Sequence, residues 1–118
     1  MKKIVIIDDD PEIIDVLTAF FGQLNYEVTP ASTKERGLRA FVIVEPDLTL
    51  IDVHLPDGSG LDLLDEIIEL NNKAKVIMIS GFKDADKVIE AYRHGALDFM
   101  LKPFDFEYVK RIVGEILD

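Results

Sequence analysis

The sequence predicts a doubly wound α/β fold: a five-stranded parallel sheet with helices on both faces. Short apolar runs at Lys3–Ile7, Leu48–Ile51, Val76–Ile79 and Leu97–Leu101 have the length and branching of buried strands. The segments between them place apolar residues at spacings of three and four, the period of a helix packed on one side. Each run also ends in polar or turn residues before the next helical segment begins, which is the order of repeated βα units.

The first strand, Lys3 to Ile7, runs into Asp8, Asp9 and Asp10. Pro11 suits a first helical turn, so Asp10 is the expected N-cap, and Asp8 and Asp9 end the strand. Helix one presents Ile13, Leu17, Phe20 and Leu24 on one face and stops at Asn25. Tyr26 to Thr29 alternates polar and apolar residues, the pattern of an edge strand with one wet face. Helix two opens on a capping box of Ser32 and Glu35 and ends before Pro46, although Gly37 and the branched run Val42-Ile43-Val44 lower its propensity.

Strand three, Leu48 to Ile51, delivers Asp52 to its C-terminal end. Pro56, Asp57, Gly58 and Gly60 then supply turn chemistry, and Ser59 or Gly60 begins helix three with Leu61, Leu64, Ile67 and Ile68 inward. Strand four ends at Ser80-Gly81. Asp84 is expected to cap helix four, with Ala85, Val88, Ile89 and Tyr92 inward and Gly95 as its stop. After strand five, Asp105 caps helix five, with Phe104 and Val109 spaced for a hydrophobic staple.

Right-handed crossovers put the apolar strands one, three and four at the centre. In the flavodoxin-like strand order 2-1-3-4-5 a crevice opens at the C-terminal ends of strands one and three, where ligands bind in such sheets. Asp8, Asp9 and Asp52 meet there, and strands four and five deliver Ser80 and Lys102 to the same edge.

The composition narrows the partners. The 118 residues are 48% hydrophobic, so residues 1–118 read as one domain with a core that needs no staple. With 23 acidic and 13 basic residues the formal net charge is −10, which opposes direct binding to nucleic acid or to anionic membranes. There is no cysteine, and no apolar run approaches a signal-peptide core or a membrane span, so a cytoplasmic location is expected.

Two carboxylates about 4 Å apart repel by roughly 4 kcal/mol at an effective dielectric of 20, so three in one crevice call for a cation or a raised pKa. A hard divalent ion such as Mg²⁺ takes a few carboxylate oxygens and fills its remaining positions with water and phosphate. Lys102 adds a charge for a phosphoryl oxygen, Ser80 a hydrogen bond, and one carboxylate can itself be the nucleophile. His54 and His94 lack a second His or a Cys at ligand spacing for a transition metal. His94 suits a helix C-terminus.

Through IIDDDPE, LIDVHLPDGSG, VIMISG and GALDFMLKPF the whole chain resembles the receiver domain of bacterial response regulators, the CheY-like domains of two-component signalling. The resemblance implies Asp52 as phosphoacceptor and Asp8, Asp9, Asp52 and the backbone carbonyl of His54 as ligands of Mg²⁺ or Mn²⁺. It further implies Lys102 as the phosphate-pairing lysine, Ser80 and Phe99 as the switch pair, and a cis Lys102-Pro103 bond. Ser80 stands where threonine is also common, and His54 is not a typical residue two places past the phosphoacceptor.

The implied partners are a sensor histidine kinase or phosphotransfer protein and an output protein or effector domain. A homodimer through helix four, strand five and helix five is a further implied contact, with Lys87, Tyr92, Lys110 and Arg111 available on that face. The expected function is therefore a phosphorylation-dependent signalling module, not an enzyme beyond its own phosphorylation and dephosphorylation. The alternatives are a receiver-like interaction module that is never phosphorylated, and an enzyme on the same fold, such as a flavin carrier or an aspartate-based phosphatase. The intact set of Asp8, Asp9, Asp52, Ser80 and Lys102 argues against the first. The second lacks a glycine-rich loop after Ile7 and an acid two residues beyond Asp52.

Overall fold

A computed structural model describes residues 1–81 and 84–118. The elements run β1 (Lys3–Ile7), α1 (Pro11–Gln23), β2 (Glu27–Ala31), α2 (Lys34–Val44), β3 (Leu48–Asp52), α3 (Gly60–Leu70), β4 (Val76–Ser80), α4 (Ala85–Arg93), β5 (Asp98–Leu101) and α5 (Phe106–Leu117). In the loop after β3 a two-residue antiparallel ladder, His54–Leu55 against Gly58–Ser59, stands outside the sheet. The five strands are parallel in the order β2-β1-β3-β4-β5, the doubly wound, flavodoxin-like order.

Alternation along the buried strands splits the core into two layers. Ile4, Ile6, Leu48, Leu50, Ile77, Ile79 and Met100 face α1 and α5, where Leu17, Phe21, Val109, Ile112, Val113 and Leu117 meet them. Val5, Ile7, Ile51, Val76, Met78 and Phe99 pack with Phe41, Leu61, Leu63, Leu64, Ile67 and Ala91 from α2, α3 and α4. Each such side chain contributes about 1.5–3 kcal/mol on full burial. Both strands that end in acids are thereby clamped on two sides.

Local signals place most element ends. Asp10 accepts from the Glu12 N–H at 2.9 Å with Pro11 at the first helical position, and Asn25 stops α1 with a left-handed φ of 67°. β2 is an edge strand, which tolerates Pro30 because no ladder bond is required of it on the open side. Asp105 caps α5, and the staple pair Phe104 and Val109 joins the same apolar layer.

Three expectations need correction. The N-cap of α2 is Thr33, not Ser32: its hydroxyl accepts from the Arg36 N–H at 3.0 Å, while Asp57, 23 residues downstream, accepts from Lys34 and Glu35. Asp84 stands at the N-cap of α4 but makes no side-chain cap bond. On α4 the inward line passes through Val88 and buried Ala91, whereas Ile89 is 61% and Tyr92 46% exposed. The Ala85 side chain, also expected inward, lies outside the described residues. The weak propensity of α2 has a packing reason, since a Cβ at Gly37 would come within 2.6 Å of the Ile7 side chain. Glycine lets α2 sit against β1.

Candidate functional site

β1 and β3 are neighbours, so their last residues meet at the sheet's C-terminal edge. Asp8 is fully buried: its N–H donates to the Ala31 carbonyl at 3.0 Å, its Oδ1 accepts from the Asp10 N–H at 2.9 Å, and its Oδ2 has no hydrogen-bond partner among the described residues. Asp9 is exposed beside it. Asp52 is 6% exposed, with Oδ1 accepting from the His54 N–H at 3.0 Å and Oδ2 from Lys102 Nζ at 3.0 Å. Asp8, Asp9 and Asp52 each offer an oxygen within 4.8 Å of the others.

The loop past Asp52 folds tightly back on it. The Gly60 N–H donates to the Val53 carbonyl at 2.7 Å, and a Cβ on Gly60 would lie 1.9 Å from the Asp52 carbonyl oxygen. Only glycine allows that approach.

Charge in the crevice is unevenly held. Burial pushes the Asp8 carboxyl up to about 6, against the opposing effect of the Asp10 N–H, and the Asp52 charge raises it further while Lys102 lowers it. Lys102 Nζ lies 3.4 Å from Asp8 Oδ2 as well as on Asp52. Burial disfavours its charged form, but the bond to Asp52 and the two carboxylate charges outweigh that and raise it above the usual lysine range. One ammonium is thus shared by two acids, with Asp9 beside them. A buried carboxylate oxygen with no hydrogen bond among the described residues, its counter-charge an ammonium shared with Asp52, fits a hard divalent cation held by Asp8, Asp9 and Asp52.

Ser80 ends β4 at 1% exposure, and its Oγ has no hydrogen-bond partner among the described residues. Its carbonyl accepts from the Lys102 N–H at 2.9 Å, which ties the lysine to the neighbouring strand, and the Lys102-Pro103 bond is cis. Phe99 is registered against Met78, two residues before Ser80, so both side chains belong to the α4 side of the sheet. The Phe99 ring is inward at 7% exposure, with its centroid 5.6 Å from that of Tyr92. The structure therefore brings Asp8, Asp9, Asp52 and Lys102 together, with Ser80 ending the neighbouring strand β4 and Phe99 one layer behind.

Several participants escape a reading along the chain. The His54 side chain is 64% exposed, and its Nε2 lies 2.6 Å from Asp84 Oδ1. These two side chains join Asp9, Asp52, Gly81 and Lys102 around a crevice of about 330 Å³. On the far side of β5, Tyr92 and Tyr108 both donate to Asp98, at 3.2 and 2.8 Å, bracing α4 and α5 across the strand. His94 follows α4 as expected, and it is paired with Asp65 of α3, which raises it above the ordinary imidazole range.

The family model of the response regulator receiver domain matches residues 4–113. The response regulator protein PilR of Pseudomonas aeruginosa is 35% identical over 117 residues, which are 98% of this chain and 26% of PilR. The chemotaxis protein CheY of Thermotoga maritima is 32% identical over 116 residues, covering 98% of this chain and 97% of CheY. Among solved structures, the receiver domain of NtrX from Brucella abortus superposes with a TM-score of 0.92 at 30% identity, covering 97% of each chain. A CheY-like receiver domain protein from Methanospirillum hungatei gives 0.94 at 30% identity over 100% of this chain and 94% of that one. The chain spans about a quarter of the length of PilR and of the Escherichia coli regulatory protein AtoC, of which it covers 26% and 25%.

Proposed function

We propose, from the premise that the chain belongs to the response regulator receiver domain family, that residues 1–118 form one receiver unit in which Asp52 accepts a phosphoryl group. The donor is a sensor histidine kinase or a phosphotransfer protein. The observation that carries this reading is the meeting of one oxygen each of Asp8, Asp9 and Asp52 within 4.8 Å of one another, with Lys102 on Asp8 and Asp52.

An Asp52 oxygen attacks phosphorus, the P–O bond to Asp52 forms, and the bond to the donor nitrogen breaks with its electron pair going to the donor. Lys102 moves from Asp52 Oδ2 to a phosphoryl oxygen, and the free Ser80 hydroxyl donates to another. Asp8, Asp9, Asp52 and the His54 carbonyl would hold Mg²⁺ or Mn²⁺, which supplies the positive charge that offsets these carboxylates and the transferred group. The protein's own residues bind and orient; release of the phosphoryl group to water resets the switch.

As Ser80 turns to the phosphoryl group it vacates space behind β4 for the Phe99 ring, which is inward at 7% exposure before phosphorylation and shifts further, and this coupled motion passes to α4, β5 and α5. A groove of about 380 Å³ on that face, lined by Val88, Phe99, Leu101, Phe104 and Tyr108, supports it as the docking surface for an output partner or a second copy. No helix among the described residues is long and apolar enough to cross a membrane, and we assign the protein to the cytoplasm with its family.

Incubation with Mg²⁺ and a small phosphodonor, followed by intact mass, tests the reading. One phosphate-sized increase is expected in the wild type and none in Asp52→Asn or with chelator; an increase of equal yield in Asp52→Asn contradicts it.

A further inference from the structure

A helix leaves its first N–H groups without internal partners, and an aspartate at the N-cap is among the best groups to satisfy one. Asp10, Thr33, Ser59 and Asp105 do so for α1, α2, α3 and α5. Asp84 occupies the same position before α4 and does not, its ψ of 18° lying far from the extended values of 102° to 162° at the other four caps. Its carboxylate is instead 2.6 Å from His54 Nε2, with the Gly81 N–H at 3.4 Å and Lys87 Nζ at 3.9 Å. Asp84 is 5% exposed, and a carboxylate so enclosed needs a partner at all times.

We infer that Asp84 is a two-position residue: bound to His54 it ties the loop beyond Asp52 to the entry of α4 and leaves that helix uncapped, and released from His54 it caps α4. The two positions share one carboxylate and exclude each other, since capping requires the backbone of Asp84 to turn to the extended region. Both partners line the crevice over Asp52. An anion arriving there repels the Asp84 carboxylate, while the positive end of α4 attracts it. The inference rests on the receiver reading for that trigger alone. Asp84 is thus a positioning residue that couples the crevice to the first turn of α4 by a route separate from Ser80 and Phe99.

Amide exchange of the unphosphorylated, metal-free protein tests it without any phosphoryl chemistry, so it fails or stands apart from the phosphoacceptor role of Asp52. The His54 side chain is 64% exposed, and its removal leaves the core intact. His54→Ala is expected to slow exchange at the Asp86 and Lys87 amides roughly five-fold, the size of one N-cap bond. His54→Gln, which keeps an N–H donor at similar reach, is expected to exchange as the wild type does. In an Asp84→Ala background the His54→Ala change should have no further effect at these amides. Unchanged or faster exchange at Asp86 and Lys87 in His54→Ala, or equal slowing in the Asp84→Ala background, overturns the inference.

Discussion

At Asp8 the fold holds a carboxyl where its charge is least welcome. Its pKa of about 6 in the folded chain stands above the 3.8 of the free group, so the folded state binds this proton more tightly than the unfolded state does. The contribution of Asp8 to stability is therefore complete below about pH 4 and is lost as the pH rises through about 6. A cation on Asp8, Asp9 and Asp52 offsets that loss, but only once Asp8 has released its proton. Addition of Mg²⁺ is expected to raise the midpoint of thermal unfolding at neutral pH, the gain fading as the pH falls below about 6. Asp8→Asn is expected to remove the gain, and a gain of equal size at about pH 5 and at neutral pH would contradict the assignment of Asp8 as a ligand.

Two elements are held by side chains that belong to other segments. The first turn of α2 takes Thr33 from its own sequence and Asp57 from the loop after β3, with the Asp57 carboxylate 2.7 Å from the Lys34 N–H and 3.0 Å from that of Glu35. Those bonds hold Asp57 below the usual carboxylate range. Its contribution is accordingly present above the ordinary carboxylate pKa and is lost as the pH falls through the lowered one. Thr33→Ala is expected to cost about 1 kcal/mol in chemical denaturation, and Asp57→Ala to speed exchange of the Lys34 and Glu35 amides; unchanged exchange there would show that the loop does not brace α2. Across β5, burial and the hydrogen bond to Asp98 push the Tyr108 phenol up to about 12. The chain has three tyrosines and no tryptophan, so an ultraviolet titration reads them directly. Tyr108 is expected to ionise at a lower pH in Asp98→Ala than in the wild type, and an unchanged titration would remove Asp98 as the brace between α4 and α5.

For the whole molecule, the sheet order and the convergence of Asp8, Asp9, Asp52 and Lys102 were legible in the sequence because each stands at or just past the end of an apolar run, as Ser80 does on β4. A strand's end is a local signal, and the alternation of strands and helices leaves few ways to arrange five of them. What the chain did not disclose depends on partners far away along it. Asp57 reads as a turn residue until α2 is beside it, and Asp84 reads as a cap until His54 claims its carboxylate. The inward face of α4 was misjudged for a related reason. Ile89 and Tyr92 are large and apolar, yet they stand on a face left open, while small Ala91 fits against the sheet. An apolar residue on the surface is ordinary, and exposed Ile89 and Tyr92 fit the docking face proposed for α4, β5 and α5. The central claim is that, of 23 acidic residues, Asp52 alone takes the phosphoryl group, and an acyl phosphate can be reduced by borohydride and the reduced position found by fragment mass spectrometry. After incubation with Mg²⁺ and a small phosphodonor, the reduced residue is expected at position 52 only and to vanish when chelator replaces the ion; reduction at any other acid, or at position 52 regardless of chelator, would contradict the account.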